Sequence, residues 1–235
     1  MIYGGVGYIS RVKNMKKTFA AAAAALALAV STAPTSGAIE GGHDAIATPW
    51  SAKILVKGLC SGSVIAPNWI LTAQHCVGDY QAGTVRIGER AEQSFSVDRV
   101  VVDPGGSDVA LVHTAQPMPV IPAALSTVEP VRGQFSQTSG WGAGRFPMQQ
   151  GSARVEGRYT DNARGGASMF VTRGVEGNQE PGDSGGPFHM GPMVFGVLSS
   201  VGAKDDEGHV GANYTSVAPL LPWVYSTIAP VTGSV

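Results

Sequence analysis

Residues 180–188 read EPGDSGGPF, a single serine, Ser184, set among three glycines, an aspartate and two prolines. Gly, Pro and Asp are the residues of tight surface turns. The stretch therefore reads either as a turn with an incidental hydroxyl, or as a nucleophilic alcohol held in a backbone shape few residues allow. Two further spots carry reactive side chains. LTAQHC (71–76) puts His75 beside a cysteine at the end of an apolar strand, and SDVALV (107–112) puts Asp108 at the head of another. Taken singly, His75 reads as a half-buried histidine satisfied by a carbonyl, Asp108 as a strand-entry turn residue and Ser184 as a loop hydroxyl. Taken together, in the chain order His, Asp, Ser, they supply the imidazole, carboxylate and alcohol of nucleophilic catalysis.

This set resembles the chymotrypsin-like serine proteases of the secreted bacterial type. The family motifs TAAHC, DIALL and GDSGGP stand here as TAQHC, DVALV and an unchanged GDSGGP. IEGG at 39–42 is similar to the family's amino-terminal IVGG, SGWG at 139–142 to its TGWG strand, and YTSVAPLLPWV at 214–224 to its closing strand and helix. The likeness runs through nearly all of residues 39–229. It implies an all-β fold of two packed antiparallel six-stranded β-barrels, with the catalytic groups in the cleft between them and a C-terminal helix.

The resemblance also implies roles. His75 takes the proton of Ser184 as the hydroxyl attacks a peptide carbonyl and returns it to the leaving amine, while Asp108 fixes the imidazole tautomer. The backbone N–H groups of Gly182 and Ser184 correspond to the donors of the oxyanion hole. The glycines leave those amides free of a ladder. Asp183 corresponds to the acid that pairs with the freed α-ammonium of Ile39, so cleavage before Ile39 is expected to act as the switch. Here the sequence departs from animal relatives, because Ala38 rather than Arg or Lys precedes Ile39.

The elements that must position these groups are short. From the residues alone, β-type segments are expected at 52–56, 63–67, 69–73, 84–88, 95–103 and 108–114. A Pro-rich extended connector follows at 116–125. A second β unit comes at 134–142, 152–160, 168–174, 191–200 and 210–217. Leu220, Leu221, Val224, Tyr225 and Ile228 recur at helical spacing, and Pro219 and Pro222 fit only a first turn, so a helix is expected over 218–229. The protease domain is read as 39–235, with barrels at about 39–117 and 132–217 and a connector at about 118–131.

Residues 1–38 carry Arg11, Lys13, Lys16 and Lys17, no acid, and then an apolar run from Phe19 to Val30 that ends in small residues. That is the pattern of a signal peptide, too short to span a bilayer comfortably. Its removal takes away four of the 16 basic residues and none of the 17 acidic ones, leaving a net charge of −5. Nucleic acid is excluded as a partner on that balance. Cys60 and Cys76 are expected to form a disulfide in an exported chain, and two sulfurs alone make a poor metal site. No phosphate-cradling glycine loop is present, so no cofactor or metal is expected. The expected partners are protein or peptide substrates and proteinaceous protease inhibitors, for a secreted, extracellular monomer without a membrane anchor.

Asn178 matches the floor of the primary specificity pocket, where trypsin-type relatives carry aspartate. Val201 and Ala212 match its walls, where deep-pocketed relatives have glycine. The resemblance thus implies a slot for small or medium neutral side chains, with Ser199, Ser200 and Val201 as an edge strand for the substrate backbone. Glu180, Asp205, Asp206 and Glu207 leave open an acid reaching the pocket. The competing readings are a catalytically silent binding protein of the same fold, and an esterase. The first normally loses a member of the set, and the second needs G-x-S-x-G in a strand-to-helix elbow and the opposite chain order.

Overall fold

The computed structural model describes residues 39–229; the leader read at 1–38 lies outside them. Strands β1 (His43–Asp44), β2 (Ser51–Leu55), β3 (Leu59–Ala66), β4 (Trp69–Thr72), β5 (Gly83–Ile87), β6 (Gln93–Val102), β7 (Ala110–Thr114) and β8 (Ala124–Leu125) lie in the first half. They are followed by β9 (Phe135–Gly140), β10 (Gln149–Asp161), β11 (Ala167–Glu176), β12 (Pro187–Met190), β13 (Met193–Lys204) and β14 (Val210–Ser216), and then by helix α1 (Leu221–Ile228).

Strands β2-β3-β4-β7-β6-β5 close into one antiparallel barrel. Strands β9 to β14 close into a second, in the order β10-β11-β14-β13-β12-β9 with β9 returning to β10. Alternation explains the first closure. In β2, Ala52 and Ile54 point inward and are fully buried, in one core cluster with Val64, Ile70 and Val85. Burying each large aliphatic side chain contributes about 2 kcal/mol. The second barrel is filled by aromatics: Phe170 stacks on Tyr214 at a centroid distance of 5.3 Å and meets Phe188 edge-on at 5.1 Å.

The all-β two-barrel architecture expected from the sequence is the observed one, with several local differences. The helix is shorter than 218–229. Ala218–Leu220 form a 3-10 turn and only Leu221–Ile228 are α-helical, with Pro222 near the start, where a missing N–H removes no internal bond. β8, β12 and the two-residue β1 were not expected. β8 arises inside the Pro-rich connector because Ala124 and Leu125 pair in parallel with Met193 and Val194, a contact no local pattern announces. No helix among the described residues is long and apolar enough to cross a membrane.

Candidate active site

His75 does not end a strand: it sits on the 3-10 turn Gln74–Cys76 that follows β4. Asp108 lies two residues before β7. The two are joined twice, because Asp108 Oδ1 accepts the His75 backbone N–H at 3.0 Å and Oδ2 lies 2.8 Å from His75 Nδ1. An ionised carboxylate only accepts, so Nδ1 carries the proton and Nε2 is left with a lone pair. Ser199, 5% exposed, donates its hydroxyl to the same Oδ2 at 2.7 Å. Burial pushes the Asp108 carboxyl up, but the bonds from the His75 ring, Ser199 and the His75 amide prevail and hold it below the usual carboxylate value.

The Ser184 turn is tied to the first barrel. The Ser184 carbonyl accepts the Ser61 N–H at 2.8 Å, and Cys76 Sγ lies 3.5 Å from it. A methyl group at Gly185 would sit 2.2 Å from Thr72 Oγ1 and 2.9 Å from Ala73 N, so only glycine lets residues 184–185 lie against the end of β4, just ahead of the turn that carries His75. The Ser184 hydroxyl makes no hydrogen bond to His75, an open arrangement common in substrate-free sites. Ser61 Oγ donates to the Gly182 carbonyl at 2.9 Å and accepts the Trp141 N–H at 2.9 Å, fixing the Gly182–Asp183 peptide. Asp183 N–H and Gly185 N–H are spent on Glu180 and Leu198 carbonyls. The N–H groups of Gly182 and Ser184 meet no acceptor among the described residues.

Asp183 is 1% exposed, and its carboxylate accepts N–H groups from Gly142 at 2.6 Å, Glu180 at 2.8 Å and Ile39 at 3.3 Å. Burial raises its pKa to about 6 against those three donors. Ile39 is itself buried, with a positive φ of 47°, an outlier for a β-branched residue. In this chain the Ile39 nitrogen is a peptide amide, so Asp183 faces a neutral donor.

The expected pocket residues are distributed unevenly. The Asn178 side chain donates to the Gly208 carbonyl at 3.0 Å and accepts the Val210 N–H at 2.8 Å, so its amide is committed to the 208–210 loop. Its neighbour Gln179 is 3% exposed, and neither amide atom has a partner among the described residues. Gln179 was missed in the sequence, where only its place beside Asn178 pointed to it. Val201, 40% exposed, pairs with the fully buried Ala212, and Ser200 Oγ accepts from Asn213 Nδ2 at 3.2 Å. Asp205 and Glu207 pair with Arg173 at 2.5 and 2.8 Å, so these two acids hold a cation outside the pocket set.

Cys60 and Cys76 form a disulfide, whose loop stabilises the fold by about 3 kcal/mol. Their sulfurs and a His75 ring nitrogen lie within 4.8 Å of one another, but disulfide sulfurs are not thiolate ligands.

Two closed barrels with a serine, a histidine and an aspartate brought to the seam define a serine protease architecture. The family model described as Trypsin matches residues 39–224, and the chain belongs to the trypsin family of serine proteases. It is 30% identical, over 74% of its length and 67% of the relative's, to an uncharacterized peptidase of Corynebacterium glutamicum (strain R). It is 27% identical to chymotrypsin-like elastase family member 1 of Felis catus, over 83% of this chain and 91% of the other. Among solved structures, neuropsin, a serine protease of mouse brain, superposes with a TM-score of 0.67 at 21% identity, over 80% of this chain and 99% of the other. A scabies mite inactivated protease paralogue gives the same TM-score and coverage at 18% identity. Those two likenesses show the fold alone, so activity has to be argued from side chains.

Proposed function

We propose that this protein is a secreted endopeptidase that cleaves peptide bonds through an acyl-enzyme intermediate on Ser184. Ser184 Oγ attacks the carbonyl carbon as His75 Nε2 takes its proton. The resulting oxyanion is received by the N–H groups of Gly182 and Ser184. As the carbon–nitrogen bond breaks, His75 returns the proton to the leaving amine, and water then repeats the sequence to release the acid and restore the serine. Asp108 holds the imidazole in the productive tautomer and stabilises it when protonated.

The observation that carries this reading is the hydrogen bond from His75 Nδ1 to Asp108, which leaves Nε2 as the base, beside a turn with two amides that meet no acceptor among the described residues. Each such amide is worth roughly 3 kcal/mol to the transition state.

Activation is read as cleavage before Ile39, which turns a neutral amide into an ammonium facing Asp183. A chain with extra residues ahead of Ile39 should therefore hydrolyse substrate far more slowly. Val201 and Ala212 narrow the specificity slot and favour small or medium neutral side chains before the cut. Proteinaceous inhibitors that present an extended loop would use the same cleft.

The test treats the Ile39-start protein with a fluorophosphonate and maps the adduct. A single adduct, absent in Ser184→Ala, together with turnover of a peptide library, is expected. No labelling of correctly processed protein would favour a silent binding protein, and ester turnover without peptide turnover would favour an esterase.

A further inference from the structure

Beside His75 lies an open cavity of about 470 Å³ lined by Gln74, His75, Gly78, Gly106, Asp108, Arg164 and Ser199. Two of its lining residues are glycines, which add no side chain to it. Its acid, Asp108, is already engaged by His75 and Ser199. Beside the Gln74 amide and the His75 ring, the cationic group left to meet a ligand is the guanidinium of Arg164.

That guanidinium is positioned by its own turn. Arg164 ends the 3-10 turn Asn162–Arg164, whose N-cap Asp161 accepts the Ala163 N–H through Oδ1 at 3.0 Å and the Arg164 Nη1 through Oδ2 at 2.9 Å. Gly165 follows with φ +62°, and a methyl group there would lie 1.7 Å from the Gly105 carbonyl oxygen. The turn from the second barrel therefore meets the 105–106 loop of the first, backbone on backbone, which only glycine permits. Asp161 is the acceptor that Arg164 has among the described residues, so Nε and Nη2 stay uncommitted. A guanidinium with one nitrogen fixed and two free donors is arranged for a planar anion.

The third wall concerns the substrate. Ser199 lines this cavity and begins the Ser199–Val201 part of β13, which pairs with β14 on one side, while on the other side β12 pairs with β13 only at Met193–Val197. An extended peptide laid along that free edge would send alternate side chains toward the cavity.

We propose that Arg164 is a specificity-determining residue that selects substrates carrying an aspartate or glutamate within a few residues of the scissile bond. The proposal rests on the peptidase reading of the site and adds a substrate class to it: peptides with a small neutral residue at the cut and an acid nearby.

The experiment uses the Ile39-start protein and fluorogenic peptides with one scissile bond, in which Glu, Gln or Lys is placed in turn at each of the three positions on either side. Glu is expected to exceed Gln by about tenfold in kcat/KM at one position only, chiefly through KM, as suits one partly screened charge-assisted contact. The Glu-to-Gln ratio should fall to about one in Arg164→Gln, and Lys should become the preferred residue at that position in Arg164→Glu. Added sodium chloride should shrink the wild-type ratio. Thermal unfolding of each variant checks that it is folded. Equal Glu-to-Gln ratios in the wild type and Arg164→Gln at every position would overturn the proposal. To separate it from the peptidase reading, the same peptides are titrated by fluorescence polarisation into Ser184→Ala. A Glu preference there, lost on adding Arg164→Gln, supports Arg164 even if no peptide is cleaved, and its absence while peptides are cleaved sinks Arg164 alone.

Discussion

The Ser199 hydroxyl and the His75 ring nitrogen Nδ1 converge on one oxygen, Oδ2 of Asp108, at 2.7 and 2.8 Å. The carboxylate is thereby clamped from the second barrel while it orients an imidazole on the first. Ser199 touches no reacting atom in this reading and acts through Asp108 as a positioning residue.

Removing that clamp should show in turnover rather than in binding. Ser199→Ala deletes one hydrogen bond to a charged group, worth about 1.5–3 kcal/mol. kcat is expected to fall roughly ten- to hundredfold, with KM nearly unchanged and partial recovery in Ser199→Thr. Steady-state kinetics on one peptide decide it, and an unchanged kcat would show that His75 alone holds the acid.

The buried acid at the activation turn gives a stability difference with a definite sign. In a chain whose Ile39 nitrogen is still a peptide amide, Asp183 has a pKa of about 6, against 3.8 for an unperturbed aspartate. Between those values the folded state binds more protons than the unfolded one, so stability falls as pH rises through the window, by about 3 kcal/mol in all. An ammonium at Ile39 favours the carboxylate and should remove that loss. Urea unfolding of tagged and Ile39-start protein should give curves that separate as pH rises from 4 to 7, the Ile39-start form being the more stable at pH 7.

His189 gives the opposite slope. It is fully buried, meets Trp50 edge-on at 5.1 Å, lies 2.8 Å from Ser139 Oγ through Nε2, and through Nδ1 lies 2.8 Å from the Gly191 carbonyl. Burial lowers its pKa from 6.5 to about 4, although the Gly191 carbonyl pulls the other way. The folded state holds the neutral ring, so the unfolded state binds more protons between these values. Stability is complete above about pH 6.5 and declines as pH falls toward 4, again by about 3 kcal/mol. His189→Gln in the Ile39-start protein should flatten that slope. A variant whose unfolding midpoints follow the wild-type pH dependence would assign the slope to other groups.

The site was legible in the sequence to the extent that its chemistry is packed into contiguous residues. GDSGGP holds a nucleophile, a buried acid and two amides within six positions, and TAQHC and DVALV each fix one further group beside an apolar strand. Two β units followed from the β-type segments and turn residues, while their closure into barrels was implied by the family resemblance; β3, buried over five successive residues, shows no alternation to read. What was not legible depends on contacts between distant segments. The bond from Ser199 to Asp108 spans 91 positions, and the link from Ser61 to Gly182 spans 121. β8 exists only because β13 passes beside it. Asn178 illustrates the same limit at a single residue. Alignment gives its place, but the use of its amide by Gly208 and Val210 depends on a loop that lies about 30 residues further on. Gln179, with an ordinary polar side chain, differs from a surface residue only by its burial.

The left-handed torsion at Ile39 bears on the direction of maturation. That angle is defined by the bond to Ala38, and holding a β-branched residue there costs on the order of 1–3 kcal/mol. Hydrolysis of the Ala38–Ile39 bond abolishes the angle, so the expense disappears with the bond. A terminus that begins at Ile39 carries no such torsion. Maturation would thus run as a one-way latch, with rejoining opposed by the same distortion that scission relieved.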